Sequence, residues 1–334
     1  MRVVSLGSGS SGNALLIEAG PRGRTSILID AGFPGRVLAE RLRLAGVAPG
    51  RLAGILVTHE HIDHIIGLPY FIERYRVPVV ADPRTLSAIE QAFANEPGLS
   101  PSAFTTTIST DAGTRANGRT NGAAFMPLWP STNGSGESCP QEKVSVEAAP
   151  DIIKQDSNAL PAGSRRMIGD IEVRSFPVSH DAAAPCGYLL RAGGCRVCVV
   201  IDTGEVTDVM LEAISQADLL VLESNHDRER LLRGPYPYQL KQRILSPSGH
   251  LSNDQAAGAV LRTWRSDGVR WLWLSHLSRT NNTPRLALET MRAHMAEARA
   301  NPAQVHLSVL PPGMGCEWDS TQLWQQDSLW EMQG

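Results

Sequence analysis

Cysteine is scarce: five residues in 334, an odd number and widely scattered. At that density and length a disulfide scaffold is excluded, and a reducing compartment is expected. Charge of one sign is also lacking. Charged residues are 19% of the chain, the net charge is −3 and the pI is about 6.3. A polycationic, histone-like nucleic-acid binder is therefore excluded, although a local basic patch is not. No run approaches the ~20 apolar residues that a membrane span needs. The opening Met1–Gly7 carries neither a long apolar segment nor a cleavage signal. A soluble, cytoplasmic protein with no membrane partner is the expectation. Hydrophobic residues, at 42%, suffice for a packed core. The length suits one large domain, or one domain with a sizeable insert.

The first hundred residues read as β-rich. Short apolar runs at Arg2–Leu6, Ala14–Ala19 and Thr25–Asp30 are separated by turn signals, including the loop Gly7–Asn13. Pro34–Ala45 has helical spacing, and Gly54–Thr58 and Val77–Ala81 read as buried strands. Asp82-Pro83 opens a helix, with Asp as N-cap and Pro at the first position. From about 97 to 166 periodicity disappears and small polar residues dominate, which reads as a disordered insertion. Strands resume at Ile171–Val178, Cys186–Arg191, Arg196–Ile201, Asp218–Glu223, Trp271–Ser275 and Val305–Leu310. Helices fit Thr207–Ala217, Ser252–Trp264 and Pro284–Ala300. An α/β layered αββα sandwich is expected over 1–312, followed by an acidic tail at 313–334 holding Trp318, Trp324 and Trp330. Cys195 and Cys198 form a single pair inside a strand, which reads as two buried thiols rather than a zinc site. Met291 and Met295 read as core.

The sharpest chemical signal is Thr58-His59-Glu60-His61-Ile62-Asp63-His64, directly after an apolar strand. Imidazole and carboxylate donors suit zinc, manganese or iron(II). This H-x-H-x-D-H run resembles the signature of the metallo-β-lactamase superfamily, which places its later ligands at strand ends. His180, Asp202 and His276 each follow an expected strand. The resemblance implies two divalent ions. His59, His61 and His180 would hold one, Asp63, His64 and His276 the other, and Asp202 would bridge them. Two such ions share and acidify a water, giving a hydroxide that attacks phosphorus.

Spacing separates the branches of the superfamily. Asp202 follows His180 by only 22 positions, too few for the tRNA-gripping arm of ribonuclease Z. His276 follows Asp202 by only 74 positions, too few for a β-CASP domain. The chain resembles the WalJ family, also called YycJ. Gly7–Asn13, Ser179–Ala183, Ile201–Gly204, Leu222–Asp227, Gly234–Tyr238, Gly249–Asn253 and His276–Asn282 carry the likeness beside the His59 run. It spans about 1–95 and 168–312. It implies a metal-dependent 5′-to-3′ exonuclease on double-stranded DNA, active in DNA repair and mutation avoidance. The rivals are a hydrolase of RNA or of small cyclic phosphodiesters with the same site, and a non-catalytic metal-binding regulator.

Glu223 and His250 match positions where ribonuclease Z places a glutamate that orients a proton-donating histidine. Such a donor suits imidazole; the alternative for His250 is a contact at a helix N-terminus. With Asp63 these two are the candidate catalytic residues. His226 could be an extra ligand, a phosphate contact or a loop hydrogen bond. Arg228, Arg230, Arg233, Lys241 and Arg243 interleave with Tyr236 and Tyr238. They read either as a nucleic-acid surface or as a solvated charged helix. Ser278–Asn282, with Ser278 and Asn282 as candidates, and the Gly7–Asn13 loop could donate to phosphates, or be turns only.

Overall fold

A computed structural model describes residues 1–95, 158–265 and 269–323. Two mixed sheets pack face to face. The first contains β1 (Arg2–Gly7), β2 (Ala14–Ala19), β3 (Thr25–Ile29), β4 (Leu52–Leu56), β5 (Val79–Val80) and β13 (Gly315–Asp319), in the order β13-β1-β2-β3-β4-β5. The second contains β6 (Arg165–Ile168), β7 (Ile171–Pro177), β8 (Cys186–Ala192), β9 (Cys195–Val200), β10 (Leu219–Glu223), β11 (Arg270–Ser275) and β12 (Val305–Val309), in the order β12-β11-β10-β9-β8-β7-β6.

Both faces of each sheet are buried, so the central strands read as continuous apolar runs. In β9, Val197 and Val199 enter the core between the sheets, while Cys198 and Val200 face the outer helices. In β10, Leu219 and Val221 alternate in the same way with Leu220 and Leu222. The outer layer on the first sheet is α1 (Gly35–Leu44), α3 (Leu68–Tyr75) and α4 (Pro83–Asn95). The outer layer on the second is α5 (Asp208–Ser215), α8 (Asn253–Arg262) and α9 (Pro284–Glu297). The result is the expected αββα sandwich. Local chemistry sets the helix starts: Ser252 and Gln255 form a capping box for α8, and Thr283 caps α9 ahead of Pro284. Met291 and Met295 lie in the core. Among the described residues no helix is long and apolar enough to cross a membrane.

Strand direction positions the site. β9, β10 and β11 run parallel, and β7 shares their direction because β8 is antiparallel to both β7 and β9. The segments after β7, β9, β10 and β11 therefore emerge at one end of the sandwich. β3 and β4 are parallel in the other sheet. Asp30, Asp202 and His276, which follow β3, β9 and β11, all take left-handed backbone, with φ of 59°, 57° and 53°. Each such non-glycine residue costs up to about 1–3 kcal/mol, a strain that tends to cluster at functional sites.

Two boundaries differ from expectation. The core resumes at Asn158 rather than near 167: Ala81 donates to the Asn158 carbonyl, Leu160 donates back to Ala81, and Leu160 is buried. The core also does not end at 312. β13 pairs antiparallel with β1, and its Trp318 is fully buried between the sheets, so this edge strand gains both a ladder and a core contact there. The expected disorder at 97–157, with Cys139, and residues Trp324 and Trp330 lie outside the described residues. Cys195 and Cys198 are buried free thiols on opposite faces of β9, as three-residue spacing on a strand requires.

Candidate metal centre

The His59 run begins where β4 ends. Asp30 organises it: its carboxylate accepts from the Thr58 amide (2.8 Å) and hydroxyl (2.9 Å), and contacts His64 Nδ1 at 2.8 Å. The short helix α2 (Ile62–Ile65) then turns Asp63 and His64 back toward His59. The glycine-rich loop at 7–13 supports this turn. Asn13 donates its amide to the Asp63 carbonyl at 2.9 Å, and Ser8 Oγ accepts from the His276 amide at 2.9 Å. A Cβ on neighbouring Gly32 would stand 1.7 Å from the Asp63 carbonyl oxygen, so only glycine fits.

Four histidines have one ring nitrogen anchored and the other turned into a common cluster. His180 Nδ1 meets the Gly249 carbonyl (2.9 Å) and His61 Nε2 meets the Asp181 carbonyl (3.2 Å). A carbonyl only accepts, so those nitrogens carry the proton. His180 Nε2 and His61 Nδ1 then keep lone pairs, 3.3 Å apart. His64 is anchored by Asp30 and His276 Nδ1 by Glu223 Oε1 at 3.1 Å. Such outer partners hold metal-ligating imidazoles in orientation and raise their basicity.

Two groups of donor atoms result. His59, His61 and His180 form one, and Asp63, His64, Asp202 and His276 the other, with the atoms of each group within 4.8 Å of one another. Asp202 Oδ2 lies between them, 3.4 Å from His59 Nε2 and 2.8 Å from His64 Nε2. His59 Nε2 and His276 Nε2 are buried without a hydrogen-bond partner among the described residues. Buried orphan nitrogens beside carboxylates fit divalent cations and not a purely hydrogen-bonded core.

A further group joins Asp202, Glu223, His250 and His276. Glu223 Oε1 accepts from His250 Nδ1 at 2.7 Å, while Oε2 accepts the amides of Thr203 (2.9 Å) and Leu251 (3.3 Å). Burial opposes charge on His250, yet Glu223 and Asp202 bring its pKa up to about 9. A cation on Asp202 would cancel part of that pull. Burial drives His59 well below the usual histidine range, with repulsion from His64 in addition. Asp202 is opposite: burial would raise it, but the imidazoles of His276, His250 and His64 hold it well below the usual carboxylate range.

Residues 7–136 match the metallo-beta-lactamase superfamily and residues 126–276 a beta-lactamase superfamily domain. The chain is 33% identical over 282 residues to exodeoxyribonuclease YycJ of Bacillus anthracis, covering 84% of each chain. It is 31% identical over 293 residues to exodeoxyribonuclease WalJ of Streptococcus pneumoniae, covering 88% of this chain and 87% of that one. The chain belongs to the WalJ/YycJ family of metallo-β-lactamase-fold hydrolases. Its enzymatic class is that of the metal-dependent hydrolases. Zn²⁺-bound PqqB of Methylobacterium extorquens has the same fold at 13% identity, with a TM-score of 0.56 over 96% of this chain and 100% of that one. YhfI of Bacillus subtilis does so at 17% identity, with a TM-score of 0.54 over 95% and 99%.

The remaining candidates of this WalJ-family chain divide sharply. His226 is fully buried with neither ring nitrogen bonded among the described residues, and burial lowers its pKa to about 4, so it makes no surface phosphate contact. Ser278 and Asn282 are also buried. Ser278 Oγ accepts from Asn281, and Asn282 Nδ2 donates to the carbonyls of Ser224 and Asn225. Both hold loops together, because those buried backbone groups need partners. In α6 (Arg228–Arg233) and α7 (Tyr238–Leu245) most cations are already engaged. Arg230 donates to the Thr280 carbonyl, Lys241 to the carbonyls of Leu232 and Gly234, and Arg233 pairs with Glu229. Tyr238 is 75% exposed, Tyr236 is half-buried, and Arg228 has no partner among the described residues. Asp30 escaped the sequence reading, although it ends an apolar strand just as Asp202 does.

Proposed function

We propose that this chain is a phosphodiesterase using two divalent ions, a 5′-to-3′ exonuclease on double-stranded DNA that serves DNA repair and mutation avoidance. The observation that carries the reading is the pair His250–Glu223 set against the donor cluster at Asp202. When bound, two ions such as Zn²⁺ or Mn²⁺, with Fe²⁺ also compatible, lower the pKa of a shared water and neutralise phosphoryl charge. His59, His61 and His180 would hold one ion, and Asp63, His64 and His276 the other, with Asp202 between.

His250 supplies the proton. Glu223 fixes Nδ1, so Nε2 is the nitrogen left to protonate the leaving oxygen; the carboxylate stabilises the imidazolium beforehand and orients the ring. Glu223 also touches His276, so one carboxylate aligns the proton donor with a metal-ligand candidate. Asp63 is held through its carbonyl by Asn13 and turns its carboxylate toward His64 and His276, at 3.6 Å from each. The deoxyribonuclease relatives support DNA as the polymer.

The test is a linear duplex with a 5′-phosphate and a 3′ label, incubated with Mn²⁺ or Zn²⁺ beside an Asp63→Ala control. Progressive shortening from the 5′ end, absent in the control, is the expected result. Cleavage of RNA or a cyclic diester alone would overturn the DNA reading. A fully metallated protein that cleaves no phosphodiester would make it a regulator.

A further inference from the structure

Two arginines differ from the other cations near the site among the described residues. Each stands beside a different half of the donor cluster, is exposed, and is tethered by one side chain only. Arg243, at 57% side-chain exposure, donates its Nε to Asp181 Oδ2 at 2.6 Å. Asp181 is fixed in turn. Its amide donates to the Ser248 carbonyl, its own carbonyl holds His61, and its Oδ1 lies 3.3 Å from His180 Nε2. The loop carrying it is pinned where Ala183 donates to Glu60 Oε1 at 2.7 Å and Thr85 donates to the Ala184 carbonyl at 3.1 Å. Arg243 is thereby held against the His59–His61–His180 half.

Arg279 is held against the other half. It lies three residues beyond His276, and its Nη2 donates to Ser11 Oγ at 2.8 Å. Ser11 belongs to the loop that braces the His276 amide through Ser8 and the Asp63 carbonyl through Asn13. The backbone after His276 is itself tied, with Ser278 donating to the Asn225 carbonyl. A guanidinium carries five N–H donors in a planar fork suited to phosphate. One tether orients each fork and leaves most of its donors uncommitted among the described residues. Lys241 and Arg230, by contrast, satisfy backbone carbonyls.

We infer that Arg243 and Arg279 are phosphate clamps flanking the scissile linkage, so that the site takes a polynucleotide strand presenting consecutive phosphates, not an isolated or cyclic diester. The inference rests on the phosphodiesterase reading above and names its substrate class. A small diester reaches the metal cluster without engaging either fork. A strand drawn across the cluster engages both, and the tethers keep each fork oriented before substrate arrives.

The experiment measures kcat/KM of the metal-loaded full chain on a 5′-phosphorylated duplex across a salt series. Arg243→Gln and Arg279→Gln are each expected to raise KM about tenfold, the loss of one charge-assisted contact. Each is also expected to reduce the magnitude of the log–log salt slope by about 0.9, and the double variant by twice that. Arg243→Lys should recover the slope but not the full affinity, since it keeps the charge without the tethered fork. If the wild-type enzyme degrades duplex and the variants keep its slope, the clamps alone are overturned, as they are if the variants lose bound metal instead of affinity. A wild-type enzyme that turns over bis(p-nitrophenyl) phosphate yet ignores every polynucleotide would overturn the nuclease reading and the clamps together.

Discussion

The donor cluster and the basic segment at 228–243 are both rich in side chains that could touch a phosphodiester, yet they are built on opposite terms. In the cluster most groups are buried, and most imidazoles have one nitrogen anchored and the other directed inward. In the segment the side chains are exposed, and their charges are largely satisfied by local carbonyls and carboxylates. A buried polar group must have a partner, so burial converts residue identity into a directed role. An exposed cation has water, so its presence in sequence specifies little about where it points.

The sharpest way to break that contrast is to change the residue between the two donor groups. Asp202→Asn is expected to take hydrolysis to the uncatalysed background and to lower bound metal, read by elemental analysis; retention of both would remove the cluster from catalysis. His250→Ala comes next, with kcat down by about 10²–10⁴-fold and metal content kept, read by steady-state kinetics beside metal analysis. Asp30→Ala leaves every proposed ligand in place but frees His64 and Thr58. Metal affinity should then fall by about 10–100-fold in a competition titration with a chelator.

His226 sharpens the same comparison on the side of stability. Its pKa is about 4 in the folded chain against the usual 6.5, because burial disfavours the charge. The unfolded chain therefore binds the extra proton first. Stability on this account is full above pH 6.5, is lost as pH falls toward 4, and the loss reaches a few kcal/mol. Denaturant melts of His226→Gln should show a flatter dependence across that window; an unchanged dependence would refute the assignment. The smallest effect is expected in the basic segment. Arg233→Ala breaks only an exposed i,i+4 pair with Glu229, and thermal melts should shift by less than about 1 kcal/mol.

Much of this was legible from residue order. The αββα layering followed from apolar runs separated by capped helices, and the starts of α8 and α9 lie at the polar residues that the capping rules name. His180, Asp202 and His276 could be sought at strand ends once the His59 run was seen. Other parts were not legible. Trp318 looked like part of a loose acidic tail because β13 is short and pairs with a strand more than 300 residues away. Ser278 and Asn282 looked like phosphate donors because polar loop residues carry no mark of burial.

What the sequence alone determined is the chemistry of the donors: imidazoles and carboxylates at strand ends, spaced so that no large arm or inserted domain fits between the later ones. Periodicity and spacing are local properties, and local steric and capping preferences suffice to express them. What only the tertiary structure decided is which nitrogen of each imidazole faces inward, that Asp30 orients His64, that Glu223 reaches His276 as well as His250, and that Arg243 and Arg279 stand tethered beside the cluster. Those assignments depend on carbonyls and carboxylates brought in from the opposite sheet and from distant loops. Most of those contacts join segments far apart in the chain, so each role is set only once the fold has brought them together.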